Sequence, residues 1–98
     1  MNVFSKKVTT TNRQKGYFNV PVDYKKYFSS YDKGNIDIFL EDSPNPIIGS
    51  INFTAQTKTE SPRIYGKTSL QQWFSNTPNE AYFSVEILQS FIRIRLKE

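Results

Sequence analysis

The sequence predicts a mainly β fold of about seven strands with two short helices, and three observations carry that prediction. Eight Phe, six Tyr and one Trp supply much of the surface that a chain of 98 residues can bury, and aromatic side chains favour strands. Segments such as NIDIFLED and IIGSINFT alternate apolar and polar residues with the period of a half-buried strand. Helical spacing of apolar residues, at threes and fours, is confined to VDYKKYFSSY and SLQQWFSN. The length is that of one domain over residues 1–98, with a core large enough for independent folding.

Val3 to Val8 forms a first strand anchored by Phe4, and the following TTTNRQKG, with hydroxyls, amides, two cations and a Gly, reads as a loop. YFNVP is a strand halted at Pro21. Tyr24, Tyr27, Phe28 and Tyr31 then recur at helical spacing, Asp23 is placed to cap, and the spacing predicts about two turns over 22–30. NIDIFLED puts Ile36, Ile38 and Leu40 on one face, SPNP turns the chain, and IIGSINFT puts Ile47, Gly49, Ile51 and Phe53 on one face, its Gly marking a bulge or close packing. A polar flap follows, then a brief strand at PRIYG and a helix near 68–75 capped by Thr68 or Ser69, with Leu70, Trp73 and Phe74 on its core side. YFSVEIL and FIRIRL, separated by Gln89 and Ser90, form a closing hairpin. The expected core includes Phe18, Val20, Ile38, Ile51, Leu70, Trp73, Val85 and Ile94.

Composition excludes several functions. Without Cys there is no disulfide framework or thiolate metal site, and without His the commonest general base and metal ligand is missing. No segment approaches the roughly 20 apolar residues of a membrane span, and Met1 to Thr11 lacks the apolar core of a signal peptide, so the expectation is a cytoplasmic protein with no membrane partner. Asp23-Tyr24-Lys25 has the acid-x-Lys form of a metal-dependent nuclease, but no Asp or Glu precedes it to serve as a further ligand. Glu41 and Asp42 are adjacent on a strand and point to opposite faces, which unsuits them as an acid/base pair. The four glycines are isolated, so there is no phosphate-cradling loop. The chain therefore reads as a non-enzyme that needs no small-molecule cofactor.

The net charge of +4 is unevenly placed: residues 1–27 hold Lys6, Lys7, Arg13, Lys15, Lys25 and Lys26 against Asp23 alone, which makes one end of the fold basic. A basic patch is the electrostatic footprint of a polyanion, although a solvated Lys-rich face has the same composition. Two polar flaps, Thr9 to Lys15 and Gln56 to Arg63, offer the groups that suit DNA: Arg, Asn and Gln for base edges, Thr and Lys for the backbone.

GYFNVPVDYKKYF, where a strand ending in Pro leads to a short helix closed by Phe, and RIYGKTSLQQWF, where Arg-Ile and Gly precede Leu-x-x-Trp-Phe, together with the final hairpin, resemble the plant B3 DNA-binding domain and the related DNA-recognition domains of restriction endonucleases. The resemblance spans almost the whole chain. It implies a B3-like DNA-binding pseudobarrel whose two arms grip the major groove of double-stranded DNA, the partner, in company with a nuclease domain or subunit. Carried onto this sequence, the arms imply DNA contacts by Thr10, Thr11, Asn12, Arg13, Gln14 and Lys15, and by Gln56, Thr57, Lys58, Thr59 and Arg63. Arg63 serves either DNA or the base of its arm. Where many relatives have Gly-Asp between the second helix and the last hairpin, this chain has Asn79-Glu80-Ala81. Two other functions fit the composition: a protein-interaction β-barrel whose basic face serves solubility, and a barrel that binds single-stranded nucleic acid by stacking on exposed Tyr or Phe.

Overall fold

A computed structural model describes residues 2–28, 31, 34–54 and 61–97. Seven strands form a single sheet in the order β1-β6-β7-β3-β4-β5-β2: β1 (Asn2–Lys7), β2 (Tyr17–Asn19), β3 (Gly34–Leu40), β4 (Ile47–Asn52), β5 (Arg63–Tyr65), β6 (Tyr82–Ile87) and β7 (Phe91–Lys97). All neighbours are antiparallel except β3 and β7. The sheet curls into a half-barrel. Its edge strands β1 and β2 face each other across a seam, where Lys6 Nζ donates to the Asn19 carbonyl at 2.9 Å and the rings of Phe4 and Phe18 lie 6.4 Å apart. Burial lowers the pKa of Lys6.

The inward positions are those that alternation picks out: Ile36 and Ile38 on β3, Ile51 on β4, Phe83, Val85 and Ile87 on β6, and Ile92 and Ile94 on β7. Phe18, Phe74 and Phe83 pack as a triangle of tilted rings with centroids 5.1 to 6.5 Å apart, an edge-to-face arrangement that adds to their area burial. Gly49 serves close packing: a Cβ there would lie 2.4 Å from the Tyr65 carbonyl oxygen of β5 and 2.5 Å from Ile38. The hairpin β6–β7 turns through Gln89 and Ser90, with the Leu88 N–H bonded to Phe91 O at 2.9 Å. Gln-Ser is not a favoured turn pair, and Tyr31 supports it from outside. Its hydroxyl stands 2.7 Å from Leu88 O and 2.9 Å from Phe91 O, and burial, aided by Asp37, pushes the phenol up to about 12.

Four expectations change. The segment read as a loop at Thr9 to Gly16 is a helix, α1 (Thr10–Lys15). Thr9 accepts from the Asn12 N–H while Asn12 Oδ1 accepts from the Thr9 N–H, a reciprocal cap, and Gly16 ends the helix at φ +70. Only caps specify this helix, because it has no apolar stripe to give a period. The segment near 22–30 is a 3-10 helix, Val22–Phe28, with residues 29 and 30 outside the described range. Trp73, expected in the core, is half-buried against it, and the fully buried side chains of α2 (Lys67–Ser75) are Leu70 and Phe74. α2 also starts without the expected hydroxyl cap, from Gly66.

Candidate nucleic-acid interface

The helices α1 and α2 are joined end to end by hydrogen bonds that run both ways. Arg13 Nη1 donates to Phe74 O at 3.0 Å and Thr77 O at 2.9 Å, and Nη2 donates to Pro78 O at 2.9 Å, so one guanidinium closes the C-terminal end of α2. A cation there also meets the negative end of the helix dipole. In return, Gln71 Nε2 donates to Gln14 O at 2.7 Å and Ser75 Oγ to Arg13 O at 3.2 Å, closing α1. Gly16 permits the approach, since a Cβ on it would stand 2.6 Å from the Lys67 carbonyl oxygen.

This arrangement decides what the first expected arm offers a ligand. Asn12 is 7% exposed, and its Nδ2 donates to Tyr17 O at 2.7 Å while its Oδ1 holds the cap. Asn12 and Arg13, expected to read bases, thus make hydrogen bonds within the protein, Asn12 at the helix cap and Arg13 at the end of α2. Thr10, Thr11, Gln14 and Lys15 are exposed on α1. Of the second expected arm, Gln56, Thr57, Lys58 and Thr59 lie outside the described residues, while Ser61 and Pro62, both buried, and Arg63 lie within them.

Arg63 stands at the root of that arm. Its guanidinium carbon lies 4.3 Å from the centroid of the Tyr17 ring, and Nε donates to Asn19 Oδ1 at 2.9 Å. The Val20 N–H bonds Pro62 O at 2.8 Å, so the end of β2 fixes the point where the chain re-enters the sheet. Register explains the neighbours. Asn19, Arg63 and Asn52 share one row across β2, β5 and β4, and Tyr17, Tyr65 and Ser50 share the next. These positions alternate with the buried Phe18, Ile64 and Ile51 and so form the outward face. Beyond them the Gly66 N–H bonds Gly16 O at 3.0 Å, and the exposed Lys15, one residue before Gly16, and Lys67, one residue after Gly66, flank that bond. Lys67 holds φ +56, a left-handed conformation rare outside glycine.

No Asp or Glu occurs anywhere in α1, β2, β4, β5 or α2. The cations of residues 1–27 are spread over three elements: Lys6 and Lys7 on β1, Arg13 and Lys15 on α1, and Lys25 and Lys26 on the 3-10 helix, which packs against β1 through Tyr24 and Phe4. The topology also unites Lys15 with Lys67 and Arg63, from distant parts of the sequence. Tyr17, Asn19, Ser50, Asn52, Tyr65 and Lys67 of this face were not singled out by sequence reasoning. The available signal was the outward phase of three short strands, and only their register brings those phases together. Among the described residues no group of three or more carboxylates converges on a metal position, and no helix is long and apolar enough to cross a membrane.

The half-barrel and its helices match the structure of the N-terminal domain of Helicobacter pylori LlaJI.R1 with a TM-score of 0.71, over 100% of this chain and 82% of that one, at 10% sequence identity. That likeness shows the fold. No family model and no curated protein sequence matches the chain.

Proposed function

We propose that this chain is a sequence-specific double-stranded DNA-binding module of the B3-like kind, with no catalysis of its own, that works with a nuclease domain or subunit in a restriction or regulatory system. The observation that carries the reading is the outward face of β2, β5 and β4 with its flanking helix ends: cationic, amide- and hydroxyl-bearing, and without a carboxylate. Such a face lowers the free energy of a nearby polyanion without local repulsion, and its amides and hydroxyls suit phosphate oxygens and base edges. The fold likeness and the sequence resemblance to restriction-enzyme recognition domains support the same reading. In it, the segment Gln56 to Thr59 and the exposed Thr10, Thr11, Gln14 and Lys15 contact the duplex from two sides, and Arg63 holds the root of one arm.

The test is titration of a random duplex, a duplex enriched from a randomised pool, and the matching single strand, each at several salt concentrations. The enriched duplex is expected to bind best, with a slope of log K against log salt of roughly −4 to −5 for about 4 to 6 phosphate contacts. Equal or tighter binding of the single strand would favour stacking on Tyr17 and Tyr65, and no binding at low salt would leave a protein-interaction barrel.

A further inference from the structure

At the root of the β4–β5 connection lies a pocket of about 370 Å³ lined by Ser50, Ile51, Asn52, Phe53, Thr54 and Tyr65. It adjoins the acid-free face, since Ser50 and Tyr65 share a row of that face and Asn52 stands opposite Arg63. Its volume falls within the range of small-ligand sites, about 300 to 1,000 Å³. One polar group in it has a settled orientation. Asn52 Oδ1 accepts from the Thr54 N–H at 2.8 Å and from the Thr54 hydroxyl at 2.9 Å. A backbone N–H only donates, so the amide must turn its oxygen to Thr54 and keep its nitrogen for other partners. Among the described residues no acceptor takes a hydrogen bond from Nδ2.

Resting on the DNA-binding reading above, we infer that this pocket is a DNA-contact subsite in which Asn52 acts as a donor only, taking a hydrogen-bond acceptor of the duplex. An asparagine that reads adenine must accept from N6 as well as donate to N7. With Oδ1 held twice by Thr54, Asn52 lacks the acceptor half and is suited instead to guanine N7 or O6, thymine O4, or a phosphate oxygen. The pocket thus adds a specificity residue just before the arm, at a position the arm residues themselves do not include.

Asn52→Asp tests this with the local fold retained, because a carboxylate still accepts both bonds from Thr54 while the outward donor becomes an acceptor. Asn52→Ala removes the donor without adding charge. If the contact is a base edge, both variants lose roughly tenfold on the enriched duplex and little on random duplex, and reselection with Asn52→Asp moves one position toward cytosine, whose N4 donates. If it is a phosphate, both duplexes weaken by the same factor. Unchanged affinity of Asn52→Ala for both duplexes overturns the inference while leaving DNA binding intact, even if Asn52→Asp weakens through its charge. Failure of the wild-type chain to bind any duplex overturns the parent reading and this one together.

Discussion

On the wing of the sheet formed by β1, β6 and β7, cations stand beside carboxylates: Lys7 pairs with Glu80, Arg95 pairs with Asp42, and Arg93 lies across from Glu86 while stacking over Phe39 at 4.8 Å. On the wing formed by β4, β5 and β2, Arg63 meets an aromatic ring and an amide, and Lys15 and Lys67 have no carboxylate partner among the described residues. Both wings are outward faces of the same sheet over the same core, so packing does not explain the contrast. Exposed ion pairs contribute little to folding. What pairing changes is the field: the first wing is neutralised locally, and the second keeps a positive potential for something that arrives later.

Duplex affinity should separate the wings most. The double variant Lys15→Ala with Lys67→Ala is expected to lose about 60-fold in affinity at 0.1 M salt and to make the salt slope shallower by about two units. Lys7→Ala with Arg95→Ala, on the paired wing, should change affinity by less than about threefold, since charges beyond a Debye length are largely screened. Equal losses, measured by fluorescence anisotropy, would mean that the contrast between the wings does not mark the binding face.

A smaller effect sharpens the account of Arg13. Removing its guanidinium by Arg13→Ala leaves three carbonyls at the end of α2 without their donor. Denaturant unfolding should show a loss of roughly 2 kcal/mol, in the range for hydrogen bonds made by a charged group, with enriched and random duplex weakened alike. Unchanged stability with loss confined to the enriched duplex would return Arg13 to the base-reading role that the sequence suggests.

The smallest effect lies on the paired wing. The side-chain hydrogen bond from Arg95, and then its charge, hold the Asp42 carboxyl below the ordinary carboxylate range, and Lys7 does the same for Glu80. A depressed folded-state pKa contributes stability that is present above the unfolded carboxylate pKa and is lost as pH falls through the folded value. Thermal melts should therefore show a slight acid-side decline that Asp42→Asn reduces, while near neutral pH the substitution changes the melting temperature little. A large neutral-pH loss in Asp42→Asn would show that these pairs hold the fold rather than neutralise a face.

Much of the fold was legible because each strand pays its own way in local pattern: Ile36 and Ile38, or Val85 and Ile87, alternate so strictly that one face must be buried. α1 was not legible as a helix, since its packing rests on Asn12 and Arg13 and a search for apolar periodicity passes over both. Trp73 and Phe74 show a second limit. Both sit on the core side of α2, and spacing alone does not tell which ring reaches the Phe18–Phe83 cluster. The candidate face was hidden for a different reason. Asn19, Arg63 and Asn52 become neighbours only through pairing between strands far apart in sequence, and no local window holds all three.

The strand order has a consequence for how the molecule is made. β1 and β2, which precede the other five strands in the sequence, are the two edges of the finished sheet, and their neighbours are β6 and β5. Asn2 pairs with Ile87, so at about 5 to 20 residues per second Asn2 waits roughly 4 to 17 seconds for its partner to be synthesised. Until then Phe4 has no strand beside it to share in its burial. β1 therefore finds its neighbour only after most of the intervening sheet strands have been made, so an early apolar strand depends for its burial on a late one.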